Sequence, residues 1–144
     1  MASLFNIRIW VFLLLLFPAV TYNAHAFTFP GFGGKGSAKA QNLYRKARSA
    51  YGSADYSKVI ELSTKAITEY AKFAKAYALR GKAWKDLGDV DKAFKDLNRA
   101  IELDSNLGEA YFIRAQTHEI MGEMGKAKAD YKKGCKAGYR SACN

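Results

Sequence analysis

Residues 74–107 read AKAYALRGKAWKDLGDVDKAFKDLNRAIELDSNL. Apolar and small side chains recur there at steps of three and four, first as Tyr77, Gly81 and Trp84, then as Ala93, Leu97, Ala100 and Ile101. That spacing draws a stripe along one face of a helix, once on each side of Gly88-Asp89. A glycine that ends one helix, followed by an acid at the positive end of the next, makes a helical hairpin. The same pattern returns at a shift of 34 in both directions. Ala47, Gly81 and Ala115 fall in register, as do Ala54, Gly88 and Gly122, and Asp55, Asp89 and Glu123. Val59, Ala93 and Ala127 match, and so do Ala66, Ala100 and Gly134, while Tyr77 and Tyr111 match with Leu43 in the first copy. Three units result, at about 40–73, 74–107 and 108–141, and no proline interrupts the chain from Ala38 onward. The expected helices cover about 39–52, 56–70, 73–87, 90–103, 108–121 and 124–137, an all-α domain over 38–144.

A 34-residue helical hairpin carrying Tyr77, Gly81, Trp84, Leu87, Gly88, Ala93, Leu97 and Ala100 resembles a tetratricopeptide repeat. The resemblance implies a right-handed α-solenoid of three antiparallel helix pairs, in which stacking supplies the core that a single pair lacks. Two departures stand out: Ala71, Ser105 and Gly138 replace the proline that often closes a copy, and the first copy has Ala54 where the others have glycine. The last helix carries Lys126, Lys128, Lys132, Lys133 and Lys136, the polar surface a terminal unit needs. No separate capping helix fits after it, so weak end-to-end self-association is one expectation.

Ahead of the repeats, residues 1–26 read as a secretory signal: Arg8 is the only charge, about 12 apolar residues follow, and Ala24-His25-Ala26 offers a cleavage site before Phe27. The apolar core is shorter than the roughly 20 residues a spanning helix needs, so no stable membrane insertion is expected after cleavage. The product belongs in a periplasm or outside the cell. Residues 27–37, rich in glycine and phenylalanine, read as a flexible linker. With 23 Lys plus Arg against 13 Asp plus Glu, the chain carries a formal charge of +10. In an exported protein this points away from nucleic acid and toward acidic peptides, anionic envelope polymers or membrane surfaces.

The two cysteines, Cys135 and Cys143, flank the turn Ala137-Gly138-Tyr139. In an oxidising compartment they are expected to form a disulfide that pins the C-terminus. This turn also resembles those of cysteine-rich Sel1-like repeats.

In tetratricopeptide repeats the first helix of each copy lines a groove. Carried onto this chain, the groove positions are Tyr44, Arg48 and Tyr51; Lys75, Ala78, Lys82 and Lys85; and Phe112, Gln116 and Glu119. Cations interleaved with aromatic rings suit an acidic peptide with apolar side chains. Family members that hold chaperone tails use Lys, Asn and Arg at places occupied here by Tyr44, Arg48, Leu79, Glu109 and Ile113, so at most one cationic contact survives. The sequence therefore reads as a protein-interaction adaptor or scaffold, with a Lys-rich surface for an anionic polymer or membrane as the alternative. No enzyme, cofactor or metal is expected. His118 falls at a packing position, Asp86, Asp89 and Asp91 suit the helix dipole at a junction, and Gly31-Phe32-Gly33-Gly34-Lys35 lacks the strand of a phosphate loop.

Overall fold

The computed structural model describes residues 37–143, so the expected signal and all but the last residue of the linker lie outside the described residues. Six helices follow in order: α1 (Ala38–Gly52), α2 (Tyr56–Glu69), α3 (Ala74–Asp86), α4 (Val90–Leu103), α5 (Gly108–Ile120) and α6 (Met124–Lys136). A short 3-10 turn, Arg140–Ala142, closes the described chain. None of these helices is long and apolar enough to cross a membrane. Observed and expected boundaries differ by one residue at most, and the starts of α3 and α5 show why. Phe73 and Leu107 stand at the N-cap positions without a side-chain cap. Phe73 stays outside the helix because its ring is buried between Tyr44, at 5.1 Å, and Tyr70, at 6.1 Å.

Local chemistry sets each hairpin. Asp55 and Asp89 accept a hydrogen bond from the backbone N–H three residues on, at 3.0 and 3.2 Å, and so cap α2 and α4. Before each acid stands a residue in the left-handed region: Ala54 at φ 55°, Gly88 at 82° and Gly122 at 74°. The N–H of the following residue reaches back five positions, from Asp89 to Trp84 O and from Glu123 to His118 O, each at 2.9 Å. This closure satisfies carbonyls that the helix end would leave open. Tyr139 repeats it on Gly134 O at the end of α6, where Gly138 supplies the positive φ.

Helices pair as α1 with α2, α3 with α4 and α5 with α6, and the pairs stack through α2 on α3 and α4 on α5. The first helices also meet one another, α1 with α3 and α3 with α5. Small residues permit this. Ala47, Ala76, Ala83, Ala93, Ala100, Ala110 and Ala115 are wholly buried, and a Cβ at Gly81 would press on Leu97 Cγ at 3.0 Å and Ala93 O at 3.2 Å. Larger side chains, chiefly Val59, Leu97 and Ile113, fill the spaces between pairs.

A polar ladder runs through the stack. Arg80 Nε and Nη2 donate to both oxygens of Asp96 at 2.7 and 2.8 Å, and Nη1 donates to Thr64 Oγ1 of the preceding pair at 2.9 Å. Arg114 does the same one copy later, with Asp130 at 2.7 and 2.9 Å and Asn98 at 2.7 Å. Each guanidinium thus ties its own pair together and clips it to the pair before, in the fork geometry that Lys cannot supply.

At the C-terminus, Cys135 and Cys143 form the expected disulfide, with Cα atoms 4.8 Å apart. Ala142 is buried in the register that Ala40, Ala74 and Gly108 hold in the copies before it. It lies 3.0 Å from where a Cβ on Gly134 would stand. The segment after α6 thus takes the register that opens each earlier copy, and the disulfide fastens it to α6.

Candidate functional site

The groove positions expected from the sequence lie on α1, α3 and α5, the three helices that meet side by side. Tyr51, Lys82, Lys85 and Gln116 come together. The Tyr51 hydroxyl donates to Asp86 Oδ2, and the Lys82 ammonium sits 4.3 Å over the Tyr51 ring centre. Lys85 Nζ bridges Asp86 Oδ1 at 3.1 Å and Gln116 Oε1 at 3.0 Å. One polar chain, Tyr51–Asp86–Lys85–Gln116, so crosses all three first helices. Burial, then the hydrogen bond to the Asp86 carboxylate, raises the Tyr51 pKa well above the usual phenol range.

Asp86 is where the sequence reading needs correction. Grouped with Asp89 and Asp91 at the helix junction, it was expected to serve the dipole of the next helix. Only Asp89 caps α4, with Asp91 in the first turn, because the last turn of α3 points Asp86 toward Tyr51 and Lys85 instead.

Tyr44 packs half-buried on Phe73. Its hydroxyl pKa is raised first by burial and then by the charge of Glu109, with Arg48 opposing. Glu109 on α5 also raises the Tyr51 pKa, as the smallest of its causes. Arg48 and Lys75 are exposed, and together with Lys82 they enter none of the ion pairs among the described residues.

Phe112 and Glu119 lie elsewhere. Phe112 stacks between Tyr131 and Tyr139 at 5.7 and 5.2 Å, and Glu119 accepts from the Tyr131 hydroxyl at 2.8 Å. Burial and that carboxylate push the Tyr131 pKa up to about 12. These residues form the C-terminal wall beside the disulfide. Tyr131 and Tyr139 were not among the expected site residues, since neither belongs to a first helix. His118 is the packing residue expected, ring to ring with Phe94 at 4.6 Å and hydrogen-bonded through Nδ1 to Glu123 at 2.6 Å.

Two family models, each described as tetratricopeptide repeat, match residues 74–107 and 108–137. Residues 74–137 are tetratricopeptide repeats. Residues 38–69 add a helix pair with the same turn and the same stacking, so the domain is an all-α solenoid of tetratricopeptide type. Among curated proteins with such similarity, Hsc70-interacting protein 1 of Drosophila melanogaster is 32% identical over 101 residues, covering 70% of this chain and 27% of that one. The protein SGT1 homolog of Oryza sativa subsp. japonica is 36% identical over 93 residues, covering 65% and 25%. The chain thus spans about a quarter of the length of these relatives. Solved tetratricopeptide domains share the fold. The second such domain of Spaghetti (RPAP3), bound to the HSP90 peptide SRMEEVD, gives a TM-score of 0.65 at 23% identity over 68% of this chain and 91% of that one. The TPR2B domain of yeast Sti1 in its pHsp70 complex gives 0.67 at 24% identity, covering 70% and 81%. The Yersinia enterocolitica type III secretion translocator chaperone SycD gives 0.66 at 17%, covering 70% and 76%.

Proposed function

We propose that the protein is an exported interaction module whose first helices hold an acidic, extended peptide segment of a partner protein. The observation that carries this reading is the sorting of charge on that face. Asp86 and Glu119 are occupied by Tyr51, Lys85 and Tyr131, whereas among the described residues Arg48, Lys75 and Lys82 enter no ion pair, Lys82 lies over the Tyr51 ring, and Glu109 is the one carboxylate of that face that is likewise in no ion pair. Uncommitted cations beside aromatic surface favour a carboxylate-bearing chain. The likeness to domains solved with HSP90 and pHsp70 partners supports a peptide as the class of ligand.

The grip differs from that of chaperone-tail binders. At their carboxylate-holding places Leu79 is 8% and Ile113 1% exposed, both packed into the core, and Glu109 carries the wrong sign. Export, periplasmic or secreted, rests on Arg8, the apolar run and Ala24-His25-Ala26, and the Cys135–Cys143 disulfide is the kind of bond that oxidising compartments maintain.

Affinity capture from the native envelope with the wild-type chain and an Arg48→Glu/Lys82→Glu variant tests the groove. Both side chains lie outside the buried core, so helicity by circular dichroism should not change. Capture of the principal protein partner should fall at least tenfold. Equal capture by the two chains would move the site off these helices.

A further inference from the structure

The outer face of α6 is charged in a way the groove reading does not use. From residue 124 to 143 there are six cations, Lys126, Lys128, Lys132, Lys133, Lys136 and Arg140, and one side-chain carboxylate, Asp130. Asp130 is buried under Arg114 and neutralised there. Only Lys126 has an ion pair, with Glu123. Among the described residues Lys128, Lys132, Lys133, Lys136 and Arg140 have none.

The internal repeats serve as controls. On α2, Lys58 and Lys65 both pair with Glu61. On α4, Lys92 pairs with Asp89 and Arg99 with Glu102, and Lys95 is the one exposed cation in no ion pair among the described residues. One copy later Arg99 and Glu102 become Lys133 and Lys136, so a compensated pair becomes two like charges beside Tyr111 and the Ser105-Asn106 turn. A polar cap for the stack requires side chains that water solvates, and neutralised pairs would serve. It does not require the removal of every exposed carboxylate.

The same face carries apolar surface. Lys128, Lys132 and Lys136 follow at steps of four, and Met124 extends their line by one turn at 63% exposure. Ile120 and Met121, exposed just before it in sequence, lie instead along the α3–α4 turn with Leu87 and Val90. Gly125 and Ala129, also exposed, leave the backbone between the lysines uncovered, so a broad surface can approach closely. A dissolved polyanion has no use for methionine, whereas a bilayer interface accepts both the cation and the apolar side chain.

The geometry points to α6 as a docking surface for an anionic phospholipid bilayer. Lys128, Lys132, Lys133, Lys136 and Arg140 meet headgroup phosphates, and Met124 enters the interface beside them. This site is separate from the peptide-holding face on α1, α3 and α5, and it leaves that face open to a partner.

Flotation of the full chain with vesicles containing phosphatidylglycerol, compared with vesicles of phosphatidylcholine alone, tests it. Binding should prefer the anionic vesicles. Replacing Lys128, Lys132 and Lys136 by Gln should weaken that preference about a hundredfold, at roughly fivefold per cation. The control variant Lys58→Gln/Lys65→Gln/Lys92→Gln, with the same net charge, should behave as wild type. Met124→Gln should weaken binding to vesicles and leave binding to soluble polyphosphate unchanged. Equal binding to both vesicle types, equal loss in the two triple variants, or indifference to Met124 would each overturn the proposal. Arg48→Glu/Lys82→Glu should leave the preference intact, which separates failure here from failure of the groove reading.

Discussion

Ala54 holds a left-handed φ of 55° at the place where Gly88 and Gly122 hold 82° and 74°. A Cβ is strained there, because it crowds the adjoining carbonyl. Ala54→Gly should therefore raise the unfolding free energy by about 0.5 kcal/mol in urea melts, after the entropy that glycine adds to the unfolded chain. Gly122→Ala should lower it by about 1 kcal/mol. The Arg114 pair is worth more. Asp130 and Arg114 expose only 5% and 18% of their side chains, so Asp130→Ala leaves a largely buried guanidinium without a counter-charge, held by Asn98 alone. That should cost about 3 kcal/mol, most of it recovered by Arg114→Met/Asp130→Leu, because two apolar groups leave no charge to desolvate. The outcome that would refute this is a double variant no more stable than Asp130→Ala. A signal for the pair was present in the sequence: Arg80 and Arg114 are in register, and so are Asp96 and Asp130, where helical packing positions are usually apolar. Register alone does not show that the two side chains meet, since that depends on how α5 faces α6.

On single helices, charge is organised by spacing. Glu61 on α2 accepts from Lys58 at 2.7 Å and from Lys65 at 2.6 Å, and these ammonium groups, Lys58 foremost, pull its carboxyl from 4.5 down to about 2. A carboxyl lowered in the folded state stabilises the fold above its unfolded pKa, and the gain disappears as pH falls through the folded value. The Tm of the wild type should thus fall more steeply than that of Glu61→Gln between pH 4.5 and about 2, and parallel thermal melts across that window check it. Helix positions and the Asp-capped turns were legible in the sequence because both depend on neighbours within five residues. The direction of Asp86 was not, since its hydrogen-bond partner Tyr51 lies 35 residues away on another helix.

Across the described repeat domain, the outward faces of the first and last helices carry charged or polar side chains at positions where the inner copies pack on one another. Ala76, Leu79 and Ala83, which pack α3 against the pair before it, correspond to Asn42, Arg45 and Ser49 on α1. Phe94 and Asn98, which meet His118 and Arg114 of the next pair, correspond to Lys128 and Lys132. Stacking one copy on another would bring Arg45 and Lys46 against these lysines, a like-charge contact with no apolar gain. That repulsion opposes the weak end-to-end association expected from the lack of a separate cap, and light scattering at low salt should give the monomer mass at every accessible concentration. Lys128→Phe/Lys132→Asn, which restores the inner pattern at one end, should associate. A wild type that self-associates would show that the chain ends, rather than these faces, govern assembly.

Three helical hairpins, their order, the turns between them and the reach of the Cys135–Cys143 bridge are legible in the residues alone, because each follows from a local pattern of size, charge and backbone freedom. The sequence also marked Arg48, Lys75, Lys82 and Lys85 as the cations of one face. How those charges are used is set by the packing of one copy on the next. Lys85 is committed to Asp86 and Gln116, while Arg48, Lys75 and Lys82 are in no ion pair among the described residues. Phe112 is turned to Tyr131 and Tyr139 rather than to Tyr51. Those outcomes depend on contacts between copies, where a side chain's partner is set by how far one helix pair is rotated on the next, and a periodic pattern carries no record of that rotation.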